Sequence, residues 1–120
     1  ALVVVTPEIP AVRDAARVMT ILENKHISDI KIIVNRIRPK MVKEHKMLSV
    51  EDIEDVLNTE VVAAINDEDY VIESMNCGLV LSEMSQAGLA FADVARSILG
   101  EEIQPEVKRT FIQRIFGRFR

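Results

Sequence analysis

Ala1-Leu2-Val3-Val4-Val5 opens the chain as an uninterrupted apolar run, β-branched at three positions and stopped by Thr6-Pro7. A run without polar alternation suits a strand buried on both faces, as strands of parallel sheets are. It starts without a Met, as if the chain opened inside a larger domain. From Pro10 to about Glu23 the period is helical: Val12, Ala15, Ala16, Met19 and Leu22 share a face, with Arg13, Asp14 and Arg17 elsewhere. Pro10 suits a first helical turn, and Asn24-Lys25 suit the end. Ile30-Lys31-Ile32-Ile33-Val34 is a second strand, leaving through Asn35-Arg36-Ile37-Arg38-Pro39. Pro39 disfavours helix at Arg38, so this exit should be extended or turned. Lys40 to Met47 is charged and lacks a period, which predicts a loop with room for one helical turn.

Ser49-Val50-Glu51-Asp52 resembles a capping box, with Asp52 in the usual Glu or Gln place. The helix it starts carries Ile53, Val56 and Leu57 and should end near Asn58. Val61 to Ile65 is a third strand, followed by the acidic turn Asn66-Asp67-Glu68-Asp69. Tyr70 to Met75 reads as a short helix ended by Asn76-Cys77-Gly78, and Leu79-Val80-Leu81 as a short extended piece. Ser82 or Ser85 caps a further helix striped by Ala87, Ala90, Phe91, Val94, Ala95, Ile98 and Leu99, and Gly100 closes it. Strand and helix thus alternate three times. That order predicts an α/β fold, a partial doubly wound parallel sheet of three strands with right-handed crossover helices. Residues 1–100 form this body, 101–106 a linker and 107–120 a C-terminal amphipathic helix. Ligands of such folds sit at the carboxyl ends of the strands. Here those ends are Thr6-Pro7-Glu8, Asn35-Arg36 and Asn66-Asp67.

With 120 residues, 48% of them apolar, the chain can bury one core, and with no Trp and one Tyr that core must be aliphatic. The single Cys77 cannot form an internal disulfide and fits a reducing compartment, as a small residue near a turn. His26 and His45 stand alone in polar stretches without metal-ligand spacing, so no metal site is expected. No apolar run approaches the ~20 residues that span a bilayer, and the N-terminus lacks a signal-peptide pattern. The expected location is cytoplasmic, peripheral on the inner face of the cell membrane. Charge is unevenly placed. Residues 1–106 hold 10 Lys or Arg against 19 Asp or Glu, a net of −9; residues 107–120 hold five cations and no acid. Such a body should not stick to nucleic acid, whereas the tail should be drawn to an anionic surface.

Within the tail, Phe111, Ile112, Ile115, Phe116 and Phe119 form one helical stripe containing three of the four Phe residues. Arg114 and Arg118 flank it, and Lys108 and Arg109 stand at its start. A large apolar face with a cationic polar face matches an interfacial helix on anionic lipid. The same pattern could pack on the domain or dock a protein. Its place after a linker, and its charge opposite to the body's, favour the membrane.

Four stretches together resemble the MinD family of deviant Walker A ATPases, which acts in septum site selection. They are Thr6-Pro7-Glu8-Ile9 with Val12-Arg13-Asp14-Ala15, then Ile33 to Arg38, then Met47 to Asp52, and the basic amphipathic C-terminus. The likeness is to the family's second half. The first half, with the Gly-rich phosphate loop, is not replaced: the only glycines are Gly78, Gly88, Gly100 and Gly117, and none builds such a loop. The resemblance implies a P-loop NTPase fold and a fragment that should not hydrolyse ATP alone, with no catalytic residue of its own. It also implies an ATP-dependent homodimer whose paired tails hold the membrane, with magnesium bound through the missing half. MinC, and MinE or another topological factor, are the implied partners.

The resemblance further implies base contacts from Asn35 and Arg36. An amide offers donor and acceptor to a base edge, and a guanidinium can stack on a ring. A turn-forming Asn and a solvated Arg are the plainer reading of the same pair. Asn66 and Asp67 are similar to a base-contacting loop in which the family usually has Pro at the place of Asn66; a solvated acidic turn is the alternative. Glu8 and Asp14 resemble carboxylates that meet the signature lysine of the missing half and border the dimer face; acids at a helix N-terminus explain them as well. Two other functions fit less of the sequence: a non-enzymatic membrane adaptor, as a truncated paralogue, and a ParA-type chromosome-partition ATPase, which needs a DNA-binding basic surface.

Overall fold

The computed structural model describes residues 1–81 and 85–100. The expected linker at 101–106 and amphipathic helix at 107–120 lie outside the described residues, as does Ser82. Three strands, β1 (Leu2–Val5), β2 (Lys31–Ile37) and β3 (Val61–Asn66), make one sheet in the order β1-β2-β3, all parallel. Helix α1 (Ile9–Asn24) connects β1 to β2; α2 (Pro39–Lys43) and α3 (Val50–Leu57) connect β2 to β3; α4 (Asp69–Asn76) and α5 (Gln86–Ile98) follow. This is the α/β architecture that the alternation of strand and helix predicts.

The sheet has two unequal faces. On one, Val3, Val5, Ile32, Val34 and Ala64 pack with Val12, Ala15 and Met19 of α1 and Ile53 and Leu57 of α3. On the other, Ile33 and Ile65 pack with Ala87 and Ala90 of α5. Helix α5 covers β3 and leaves the β1 end of that face open, so Leu2 and Val4 are 44% and 60% exposed. The expectation that β1 is buried on both faces therefore holds for one face only.

Local signals place the helix ends. Ser49 Oγ accepts from the Asp52 N–H at 3.0 Å, and an Asp52 carboxylate oxygen accepts from the Ser49 N–H at 2.8 Å, completing the capping box. Asn58 ends α3 in the left-handed region with φ 48°. Val56, expected on the buried stripe, is exposed. Pro39 begins α2 directly after the extended Arg38, so the region read as a loop starts with a helical turn. Ser85 caps α5 through the Gly88 N–H at 2.9 Å. In the stripe of α5, Ala87 and Ala90 are buried, whereas Phe91, Ile98 and Leu99 are exposed. No strand forms at Leu79 to Leu81.

Strand β2 does not end at Val34. It continues to Ile37 with one extra residue relative to β3: Val34 faces Ala64 and Ile37 faces Asn66. The bulge at Asn35-Arg36 puts Arg36 in the left-handed region, φ 63°, which a non-glycine residue enters at a cost. Simple alternation from Val34 would aim Arg36 at the core. The inserted residue lets Ile37 take that place, beside Ile32 and Val34, and turns Arg36 out to solvent.

Candidate functional site at the carboxyl ends of the strands

The carboxyl ends of all three strands meet at a cleft of about 640 Å³. Pro7 and Glu8 come from the exit of β1, Arg36 and Arg38 from β2, and Asp67 from β3. Met41, His45 and Leu48, from α2 and the segment before α3, line it as well, and the Leu48 N–H donates to the Pro7 carbonyl at 3.3 Å. The structure thus gathers Glu8, Arg36 and Asp67 of the expected site residues at one cleft. Asn35 and Asn66 are half-buried next to it, and neither lines it. Asp14 lies apart on α1, paired with Arg17 at 3.1 Å, beside a groove along β1.

Charge in the cleft is tightly paired. Asp67 Oδ2 accepts from Arg38 Nε at 2.7 Å, and Oδ1 lies 3.5 Å from Arg36 Nε. The Asp67 side chain is only 16% exposed, against 62% for Arg36 and 57% for Arg38. The hydrogen bond from Arg38 holds the Asp67 carboxyl below the usual carboxylate range. Partial burial opposes this, and the charges of both arginines add to it. The Asp67 N–H donates to the Ile37 carbonyl at 2.8 Å, which ties the turn after β3 to the end of β2. Asn35 Oδ1 accepts from the Arg36 N–H at 2.9 Å and so supports the bulge locally. Asn66 Oδ1 is shut off from solvent without a hydrogen-bond partner among the described residues.

Other residues enter that the sequence did not single out. Arg38 is the stronger partner of Asp67, and its N–H meets Met47 Sδ at 3.4 Å. An acid at one strand end and arginines at the next were the available signal. Glu68, read as part of a solvated acidic turn, accepts from the Ala87 N–H at 2.9 Å and caps α5 from a distance. Cys77 is an exposed free thiol at the end of α4. Among the described residues there is no cluster of His, Cys, Asp and Glu that could hold a metal ion, and no helix long and apolar enough to cross a membrane.

No family model matches the chain. It is 46% identical over 106 residues to the septum site-determining protein MinD of Synechocystis sp., covering 86% of this chain and 40% of that relative. Its fold superposes with a TM-score of 0.80 and 45% identity on a chain of the MinC:MinD cell division protein complex of Aquifex aeolicus, covering 86% of this chain and 43% of that one. The chain is a partial MinD homologue. It spans about 40% of the length of the curated relatives it matches. The likeness extends at the level of fold alone to MinD of Pyrococcus horikoshii, solved with Mg-ADP, at 22% identity and a TM-score of 0.70. The sheet and its helices are thus similar to part of the fold of these MinD cell division proteins.

Proposed function

We propose that this chain is the carboxy-terminal portion of a MinD-type cell-division ATPase, which supplies the base-contacting edge of an ATP site and a membrane-binding tail. The observation that carries this reading is the meeting of Glu8, Arg36 and Asp67 at one cleft, in a chain 46% identical to a MinD. Arg36 offers a planar cation to a purine ring, and Asn35 an amide nitrogen to its edge. The Asn66-Asp67 turn closes the same side. Glu8 and Asp14 border the dimer face and the signature-lysine contact. Phosphate and magnesium binding, and with them hydrolysis, belong to the half that this sequence does not match. The Aquifex aeolicus homologue's complex with MinC supports MinC as a partner, with MinE or another topological factor as regulator.

The tail works by avidity. Burial of one large apolar side chain gives ~1.5–3 kcal/mol, and each cation near an anionic leaflet about 1 kcal/mol. Ordering the helix takes back about 1–2 kcal/mol per residue fixed. One tail therefore binds weakly, and two held in a dimer bind far more strongly. ATP-driven dimerisation places the protein on the inner face of the cell membrane, and hydrolysis releases it. Residues 101–120 fused to a fluorescent protein should sediment poorly with anionic liposomes as a single copy and well as a forced dimer. Phe116→Glu should abolish both. Equal binding to neutral vesicles, or no gain on dimerising, would sink this reading.

A further inference from the structure

Asp67 is the most covered charged group of the cleft's ion-pair cluster, and both its oxygens face arginines of the neighbouring strand. Arg38 makes the shorter contact and anchors the carboxylate. Arg36 makes the longer one, with Nε 3.5 Å from Oδ1 and its side chain 62% exposed, and an in-plane contact of this kind leaves the faces of a guanidinium open to stacking. The two arginines stand on either side of Ile37, whose side chain is buried, and whose carbonyl accepts the Asp67 N–H. The main chain that carries the carboxylate is thus tied to the end of β2, and Arg36 rises beside it from a bulge that holds a costly backbone conformation. An arginine left free on a surface samples many rotamers, and a ligand stacking on it must first order it. Here the Asp67 carboxylate, 3.5 Å from Nε, narrows that sampling before a ligand arrives.

We propose that Asp67 is a positioning residue for the nucleobase: it holds the Arg36 guanidinium at the strand end as a preset stacking surface, with Arg38 as the anchor of the clamp. This rests on the assignment of the base to Asn35 and Arg36 made above. Asp67 accordingly acts through Arg36 and has no need to touch the base. The Arg38 contact also explains why one carboxylate faces two cations. A single arginine would be drawn wholly onto the acid, whereas a second one anchors the acid and leaves Arg36 able to face the cleft.

The test uses the natural full-length protein, with ATP and inorganic tripolyphosphate as probes, the second lacking a base. Asp67→Asn should weaken ATP binding about threefold to tenfold, the range set by freeing one rotamer-rich side chain, and leave tripolyphosphate binding unchanged. Arg38→Gln removes the anchor from the other side and should give the same pattern, which keeps the test valid if Asp67→Asn folds poorly. In an Arg36→Ala background, Asp67→Asn should add nothing. An equal loss for both probes, or a full Asp67 effect without Arg36, overturns the clamp. If Arg36→Ala weakens ATP binding and Asp67→Asn does not, the clamp fails and the base assignment stands. If Arg36→Ala itself leaves ATP binding unchanged, the base assignment fails.

Discussion

Ser49 and Asp52 show how two short side chains set a helix start. Each satisfies the other's main-chain N–H, so two donors that α3 cannot bond internally are paired. Hydrogen bonds from the Ser49 main chain and then its hydroxyl hold the Asp52 carboxyl below its ordinary value of 3.8, with a smaller contribution from His45 and with burial opposing. A lowered folded-state value means that the ionised form is favoured in the native protein. The stability this provides is fully present above the unfolded carboxylate value and is lost as pH falls through the lowered folded value. Ser49→Ala should cost about 1 kcal/mol in urea denaturation at neutral pH. The advantage of the natural protein over Asp52→Ala should hold at neutral pH and shrink below pH 3.8. An advantage that grew on acidification would show that the carboxylate is not the capping group. The Ser49 to Asp52 spacing made this cap readable in advance. The strain at Arg36 was not readable, because left-handed backbone is signalled by glycine or asparagine, and neither residue type occupies position 36.

Strand β1 tests the faces of the sheet at the level of the element. Val3 and Val5 are 9% and 3% exposed, while Val4 between them is 60% exposed. Val5→Ala should cost on the order of 2 kcal/mol, as removal of buried methyl groups does, and Val4→Thr less than about 0.5 kcal/mol. Urea midpoints of the two variants check this; comparable losses would mean that the outer face is covered. The apolar run announced a parallel strand, and one is observed, paired with β2. It could not announce that α5 leaves the β1 end of the second face open, since that depends on how far one helix reaches across the sheet. For the same reason only part of the apolar stripe of α5 is buried. Ala87 and Ala90 are buried in the core with Ile33 and Ile65, Val94 packs against it, and Phe91, Ile98 and Leu99 are exposed. At the site, the strand ends were identified from topology alone. The Arg38 to Asp67 bond was not, because it joins residues 29 apart in sequence whose alignment depends on the bulge in β2.

Charge distribution governs the molecule as a whole. Under the proposed membrane function, a body of net −9 next to a tail of net +5 makes approach to an anionic surface a contest between repulsion of one part and attraction of the other. The Debye length is about 10 Å at 0.1 M salt and about 3 Å at 1 M. Contacts between tail cations and lipid headgroups are short, whereas the body's carboxylates spread over a domain some 35 Å across. Modest salt therefore screens the repulsion first and the tail's attraction later, and the apolar stripe is hardly affected by either. Binding of the full chain, dimerised, to anionic liposomes should change little or rise slightly between low salt and about 0.1 M, then fall toward 1 M without vanishing. The tail alone, fused as a dimer to a neutral carrier, should lose affinity steadily over the whole range. Cosedimentation of both proteins across a salt series separates the two curves. If they run parallel, the acidic body takes no part in membrane approach, and the tail alone determines it.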